Sequence, residues 1–225
     1  MKDVTFVIAV RKNSKRVKNK NIRKFGNSSL LKIKLSQVRN LFKEGNIFLS
    51  SDCKKSLSIG KKYKAIIDQR DKKFSTSSIP MKEVYKYLAK KVKTKYVCYV
   101  QCTSPFLKNS SLKKALNIFS KYKQKYDSLA SVSVLQEYMW YKSKAINYNP
   151  KNHPRSQDLK KIYALNFAIC IVKTEYMKKF GRIVGDNFYP FVLKFPEDLD
   201  IDDMWQFNLG ELIFKNKKKL FSNVY

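Results

Sequence analysis

The chain has 225 residues, 44% hydrophobic and 14% aromatic, which is ample for one packed core and excludes a disordered polymer. Its 48 basic against 17 acidic residues give a formal charge of +31, so it suits an anionic ligand or surface, or carries a lysine-rich solvated exterior. The excess is spread along the whole chain rather than gathered in one block, which argues against nucleic acid as the partner.

VTFVIAV (Val4–Val10) predicts a first buried strand. A dense run of cations, VRKNSKRVKNKN (Val10–Asn21), follows it without a glycine or an acid. It holds neither GxxxxGK[ST] nor GxGxxG, so no glycine-rich phosphate cradle is present. Arg11, Ser14, Lys15, Arg16 and Lys20 on one short connection would nonetheless neutralise a triphosphate; the alternative is a solvated basic loop.

Helix periodicity over Leu30–Phe42 precedes strands at Asn46–Asp52 and Lys64–Arg70, which are joined by a short helix from about Cys53. Ile79–Val92 is helix-periodic, with Pro80 suited to its first turn. The apolar strand KYVCYV leads into QCTSP (Gln101–Pro105) and a helix near Ser111–Tyr126, where serines can cap. QCTSP offers amide and hydroxyl hydrogen bonds to a base or sugar, or is a plain strand-ending turn. SLASVSVLQ and ALNFAICIVK predict further strands, and Ile146–Asp158 is the most loop-like stretch.

The last helix starts after DLDIDD (Asp198–Asp203), four carboxylates in an acid-poor chain. In extended backbone Asp200 and Asp202 project to one side, as paired oxygen ligands of Mg²⁺ beside a phosphate site would. The other reading is that Asp202 or Asp203 caps the helix, and both can hold.

Strand–helix alternation with near-continuous apolar strands predicts a three-layer α/β protein with a mixed, mostly parallel sheet covered on both faces. Ligands of such sheets bind beyond the carboxyl ends of the strands, where the basic loop, SSD (Ser50–Asp52), QRD and QCTSP should converge. Four cysteines without C-x-x-C and the single His153 point to buried thiols rather than a zinc site or a disulfide framework. With no long apolar run, no membrane span is expected, and the expected compartment is the cytoplasm.

Five blocks, taken in order, resemble the acylneuraminate cytidylyltransferases. VRKNSKRVKNKN is similar to that family's A-R-x-x-S-K-R/G-I/L-P-x-K-N, SSD to S-T-D, and QCTSPFL to Q-P-T-S-P-L-R. PRSQDLKKIYALNFAICI (Pro154–Ile171) is similar to P-R-R-Q-D-L…Y…N-G-A-I-Y-I, and DIDD to D-I-D-T. The resemblance implies a Rossmann-like nucleotidyltransferase fold that couples CTP to an acidic 2-keto nine-carbon sugar with Mg²⁺ and releases pyrophosphate, usually as a homodimer. It places Arg11 and Asn21 at CTP and Lys15 and Lys20 at its phosphates, with Arg70, Ser77 and Gln101 as further contacts. Ser14, Ser104 and Asn166 would also meet substrate, Arg155 would hold the sugar acid, and Asp200 and Asp202 would hold the metal. Lys15, Arg155 and Asp200 are the expected catalytic groups, and an excursion around 137–165 is expected to serve dimerisation.

Cys102 stands for a proline of the pattern, Lys18 for another, Ala164 for an arginine and Phe167 for its glycine. FSTSS (Phe74–Ser78) lacks the acid of S-D-T-A-S-S. The acceptor would be a sialic, legionaminic or pseudaminic acid. The alternatives are a Kdo cytidylyltransferase, whose pattern has S-T-R where NSKR stands here, a degenerate relative, or a basic nucleic-acid binder. Arg155 together with Asp200 and Asp202 separates the enzyme from the binder, which has no use for a carboxylate pair.

Overall fold

The computed structural model describes residues 2–12, 14–43 and 45–221. In chain order the strands are β1 (Val4–Ala9), β2 (Asn46–Ser51), β3 (Ile66–Gln69), β4 (Tyr96–Val100), β5 (Ser128–Leu135), β6 (Trp140–Tyr141), β7 (Lys144–Ala145), β8 (Ile162–Lys173) and β9 (Phe188–Val192). The helices are α1 (Leu30–Leu41), α2 (Lys54–Lys62), α3 (Met81–Lys91), α4 (Asn109–Tyr122), α5 (Thr174–Phe180) and α6 (Met204–Phe221). Seven strands form one sheet in the order β3-β2-β1-β4-β8-β5-β9. β8 runs antiparallel to both neighbours, and the other pairs are parallel.

Side-chain alternation gives the central strands two buried faces. Phe6 and Ile8 of β1, Cys98 and Val100 of β4, and Ile169 and Ile171 of β8 enter one core, with Leu31, Leu35 and Val38 of α1 and Leu112 and Phe119 of α4. Val7, Val97, Tyr99, Cys170 and Val172 enter the other, with Val84 and Leu88 of α3 and Met177 of α5. Helices on both faces explain why these strands are almost continuously apolar; a fully buried Leu35 contributes roughly 1.5–3 kcal/mol of transfer free energy. All four cysteines are buried free thiols.

The predicted strands and long helices are present, with ends shifted by a few residues. α4 starts at Asn109, and the residue before it is Lys108, so no serine side chain caps it as expected. The backbone N–H of Lys108 instead donates to Glu197 Oε2 at 2.9 Å. α5, β9 and the β6–β7 hairpin carry no strong periodicity. β9 contains Pro190, which the sheet accepts because this strand lies at its edge.

Between β5 and β8 the chain forms a short hairpin and then, over Ile146–Asp158, the expected irregular loop, tied down by side-chain bonds. β6 and β7 pair through a turn at Lys142 and Ser143, both at positive φ. Buried Asn147 accepts from Met139 N and donates to the carbonyls of Glu137 and Lys160. His153 stacks on Tyr138 at 4.9 Å between ring centroids. Among the described residues no helix is long and apolar enough to cross a membrane.

Candidate active site

The ends of β1, β3 and β4 open into a cleft of about 630 Å³. Arg11, Ser14, Lys15, Arg16, Lys20 and Asn21 line it from the first loop, Arg70 from the end of β3, Ser75–Ser77 from the next connection, and Gln101–Thr103 from the end of β4. Asp202 completes it from the segment before α6. This is the crevice beside β1 and β4 where the strand order reverses, as the ligand rule for such sheets requires.

The cations are held by the backbone they close. Lys20, nearly buried, donates from Nζ to Ile201 O at 2.6 Å and to Asp202 Oδ1 at 3.2 Å. Arg16 meets the same oxygen at 2.9 Å. The loop is anchored by Leu31 N donating to Asn21 O at 2.9 Å, which ties it to the start of α1. Buried Arg70 donates from Nη2 to the carbonyls of Val10 and Ser50, clamping the ends of β1 and β2. Burial lowers its pKa, its Nε has no partner, and its net positive charge faces a cleft otherwise rich in cations. Asp52 of SSD accepts from Lys12 N at 2.7 Å, so this motif braces the loop from behind.

The acidic segment divides its labour. Asp203 Oδ1 accepts from Gln206 N at 2.8 Å, while Gln206 Oε1 accepts from the N–H groups of Asp202 and Asp203. This is a reciprocal cap of α6, and it leaves the carboxylates of Asp200 and Asp202 for other work. Ile201 N donates to Thr103 O at 2.8 Å, which brings the segment against QCTSP. Burial raises the pKa of Asp200 and neighbouring Asp202 adds to the rise, against Thr103, Lys20 and Arg16. Its Oδ1 is buried without a partner. Among the described residues no three His, Cys, Asp or Glu side chains gather as a metal cluster, so two carboxylates are what the site offers.

A second cavity of about 890 Å³ shares Met81, Tyr85 and Gln101 with the cleft. Its remaining wall is mainly apolar: Leu165 and Phe167 of β8, then Phe180, Ile183 and Val184 at and after α5. Phe167 sits in a wide bulge of β8. Ala130 pairs with Cys170 and Val132 with Leu165, so Ser131 alone faces Asn166–Ile169. Ser131 Oγ donates to Asn166 Oδ1 at 2.6 Å and accepts from Ile169 N, and Asn166 Nδ2 donates to Ser133 Oγ at 3.1 Å. These bonds hold Phe167 at φ 56, a left-handed backbone that costs a non-glycine residue about 1–2 kcal/mol.

Most of the residues expected at the site are brought together. Arg11, Ser14, Lys15, Lys20, Asn21, Arg70, Ser77, Gln101 and Asp202 share one cleft, and Asp200 lies at its edge within the field of Lys20 and Arg16. Ser104 and Asn166 turn elsewhere: Ser104 is 1% exposed with its carbonyl accepting from Lys34 Nζ, and Asn166 braces the bulge. Arg155 lies outside the cleft of its own chain, its side chain 74% exposed and paired with Asp158 at 2.8 Å. The sequence reading passed over Thr103, Tyr85 and Tyr99. Thr103 was legible as part of QCTSP, whereas the two tyrosines, in edge contact at 5.7 Å, belong to ordinary helix and strand patterns.

The family model described as "Cytidylyltransferase" matches residues 5–211. The chain is similar to the Helicobacter pylori "Pseudaminic acid cytidylyltransferase and UDP-2,4-diacetamido-2,4,6-trideoxy-beta-L-altropyranose hydrolase", at 26% identity over 94% of this chain and 42% of that protein. It is also similar to "N-acylneuraminate cytidylyltransferase A" of Danio rerio, at 24% identity over 90% of this chain and 49% of that protein. The chain thus spans about half the length of these two relatives. A solved structure of CMP:2-keto-3-deoxy-manno-octonic acid synthetase complexed with CTP has the same fold, with TM-score 0.67 and 9% identity over 95% of this chain and 99% of that one.

Proposed function

Since the chain belongs to the cytidylyltransferase family, we propose that it transfers the cytidylyl group of CTP to a 2-keto acidic nine-carbon sugar of sialic, legionaminic or pseudaminic type. The sugar's anomeric oxygen attacks the α-phosphorus, the bond to the β-phosphate oxygen breaks, and pyrophosphate leaves. One observation carries this reading: Arg16 and Lys20 of the first loop meet Asp202 of the last acidic segment across one cleft. Cations spaced along that loop suit a triphosphate, with Lys15 and Lys20 at the phosphates and Arg11, Ser14 and Asn21 beside them. Arg70 and Ser77 contact the nucleotide, and Gln101 stands where nucleotide and sugar meet.

Asp200 and Asp202 suit Mg²⁺: both are hard oxygen donors, and the orphaned, buried Oδ1 of Asp200 lacks the partner a cation would supply. When bound, Mg²⁺ would neutralise charge growing on the phosphate oxygens. The protein's own contribution is to hold that charge among fixed cations in a partly desolvated cleft.

Arg155 acts from a second copy of the chain. Its excursion exposes Trp140 at 54%, Tyr141 at 65% and Ile146 at 52%, an apolar surface suited to a homodimer. There the Arg155 guanidinium would pair the sugar's carboxylate with two parallel hydrogen bonds. Mixing Arg155→Ala with Asp202→Asn chains should restore part of the activity that each lacks, and no restoration would return Arg155 to a structural role. Buried free thiols favour a reducing compartment, and we assign the enzyme to the cytoplasm.

The deciding assay measures pyrophosphate release with each nucleoside triphosphate against a panel of acidic 2-keto sugars. Release with CTP and a nine-carbon acid is the expected result. Release with Kdo alone would move the acceptor to the eight-carbon class. No release with any pair, alongside tight salt-dependent DNA binding, would replace the enzyme with a binder.

A further inference from the structure

The second cavity adjoins the cleft, with Gln101, Met81 and Tyr85 in both linings, so it lies within reach of a molecule reacting beside the triphosphate. What it meets there is an aromatic ring kept at an energetic cost. Glycine would adopt the φ of 56 at position 167 without strain, yet the chain places phenylalanine there and braces the bulge with Ser131, Asn166 and Ser133. Strain retained in a ligand-facing wall is a pointer to function, and the half-buried ring fills space that a glycine would leave open.

Resting on the cytidylyltransferase reading above, we propose that Phe167 selects the acceptor, favouring an acidic sugar that is deoxygenated and carries acylamido groups over a fully hydroxylated one. The chemistry follows from the wall. Leu165, Phe167, Ile183 and Val184 offer no hydrogen bonds from their side chains, so a run of sugar hydroxyls laid against them loses water without replacement. Methyl and acyl carbons lose nothing there and gain contact with the ring. Of the two cations in the lining, the Arg182 guanidinium is paired in a fork with Asp186, which leaves Lys82 as the one cation able to meet a polar group there. Gln101 is also partly committed, its Oε1 accepting from Thr103 Oγ1 at 3.0 Å.

The test compares the whole chain with Phe167→Gly and Phe167→Asn, since both replacements tolerate the left-handed backbone. Pyrophosphate release would be followed with CTP, Mg²⁺ and either a diacetamido tetradeoxy nonulosonic acid or N-acetylneuraminic acid. The wild type should favour the deoxygenated acid by about tenfold or more in kcat/KM, equal to roughly 1.4 kcal/mol. Either variant should shrink that ratio by about tenfold while the KM for CTP stays unchanged. A ratio unmoved in a folded variant, or a wild type that prefers N-acetylneuraminic acid, overturns the role of Phe167 and leaves the cytidylyltransferase reading intact. If no acceptor turns over, that reading fails instead, and binding of the two acids followed by ligand-observed NMR decides the selection. Equal binding by wild type and variants then overturns it; tighter binding of the deoxygenated acid by the wild type alone supports it.

Discussion

Cleft and cavity share a wall at Met81, Tyr85 and Gln101, and their other walls are opposites. The cleft brings charged side chains from segments far apart in sequence together with apolar ones such as Val10, Ile79 and Val84, and Lys20 and Arg16 reaching Asp202 tie its ends. The cavity is lined mainly by aliphatic and aromatic carbons, and its shape comes from backbone: a bulge in β8 and the left-handed Gly181 that ends α5. The difference teaches that one reactant is to be held by charge and the other by fit. Substitutions should therefore separate into those that change turnover through electrostatics and those that change stability or choice through shape.

The largest effect should come from the acidic segment. Asp202→Asn should lower Mg²⁺-dependent pyrophosphate release on the order of 10²–10³-fold with an unchanged circular dichroism spectrum. Full activity in that variant would remove the carboxylate from the chemistry. Asp200→Asn should be as inactive yet melt at a higher temperature, because it removes a carboxylate whose charged form is disfavoured by burial.

Charge also extends beneath the cleft, where fully buried Lys34 donates to Ser104 O at 3.1 Å and Gln37 Oε1 at 2.8 Å, and burial lowers its pKa to about 8. The folded chain therefore binds fewer protons than the unfolded chain between about pH 8 and 10.5. Its contribution to stability rises with pH across that window and is lost as pH falls through 8. Against Lys34→Met, whose profile lacks this component, wild-type unfolding free energy should climb by roughly 3 kcal/mol over that span, read by urea titration at several pH values. Parallel profiles would show that Lys34 titrates in the folded chain as it does in the unfolded one, so that burial does not favour its neutral form.

Two smaller effects sharpen the contrast. Arg70→Lys should lose the clamp on β1 and β2, costing about 1–3 kcal/mol and raising the KM for CTP, without altering acceptor preference. Gly181→Ala should cost about 1–2 kcal/mol, since its φ is 65 and an added Cβ would stand 2.5 Å from Lys82 Cγ and O; here the KM for CTP should not move.

The same contrast explains what was legible in the sequence. The cleft could be read because charge is conspicuous: a cationic loop after an apolar strand and four carboxylates in an acid-poor chain each stand out locally, and the strand-end rule brings them together. The cavity could not. Phe180 and Ile183 look like any core residues, Phe167 stands out only against the glycine of the resembling pattern, and nothing in NFAIC announces a three-residue offset between β5 and β8. Ser104 and Asn166 stand as candidate contacts because their side chains can hydrogen-bond, but the Ser104 hydroxyl is buried without a partner away from the cleft and Asn166 bonds Ser131 and Ser133. Ile146–Asp158 was legible as irregular because Asn and Pro dominate it, whereas the hydrogen bonds of Asn147 that tie it down join residues 8 to 13 positions apart and leave no local signal.

The bond from Lys20 Nζ to Ile201 O spans 181 positions of the chain. During synthesis the N-terminal strands and their basic connection emerge long before the segment that α6 caps. A nascent chain thus carries a cationic mouth with no counter-charge, free to attract any polyanion in its surroundings, the ribosome's own RNA included. Only when α6 and the acidic segment before it dock is that mouth closed by acid, so the charge pairing across the cleft waits on contacts about 180 positions apart.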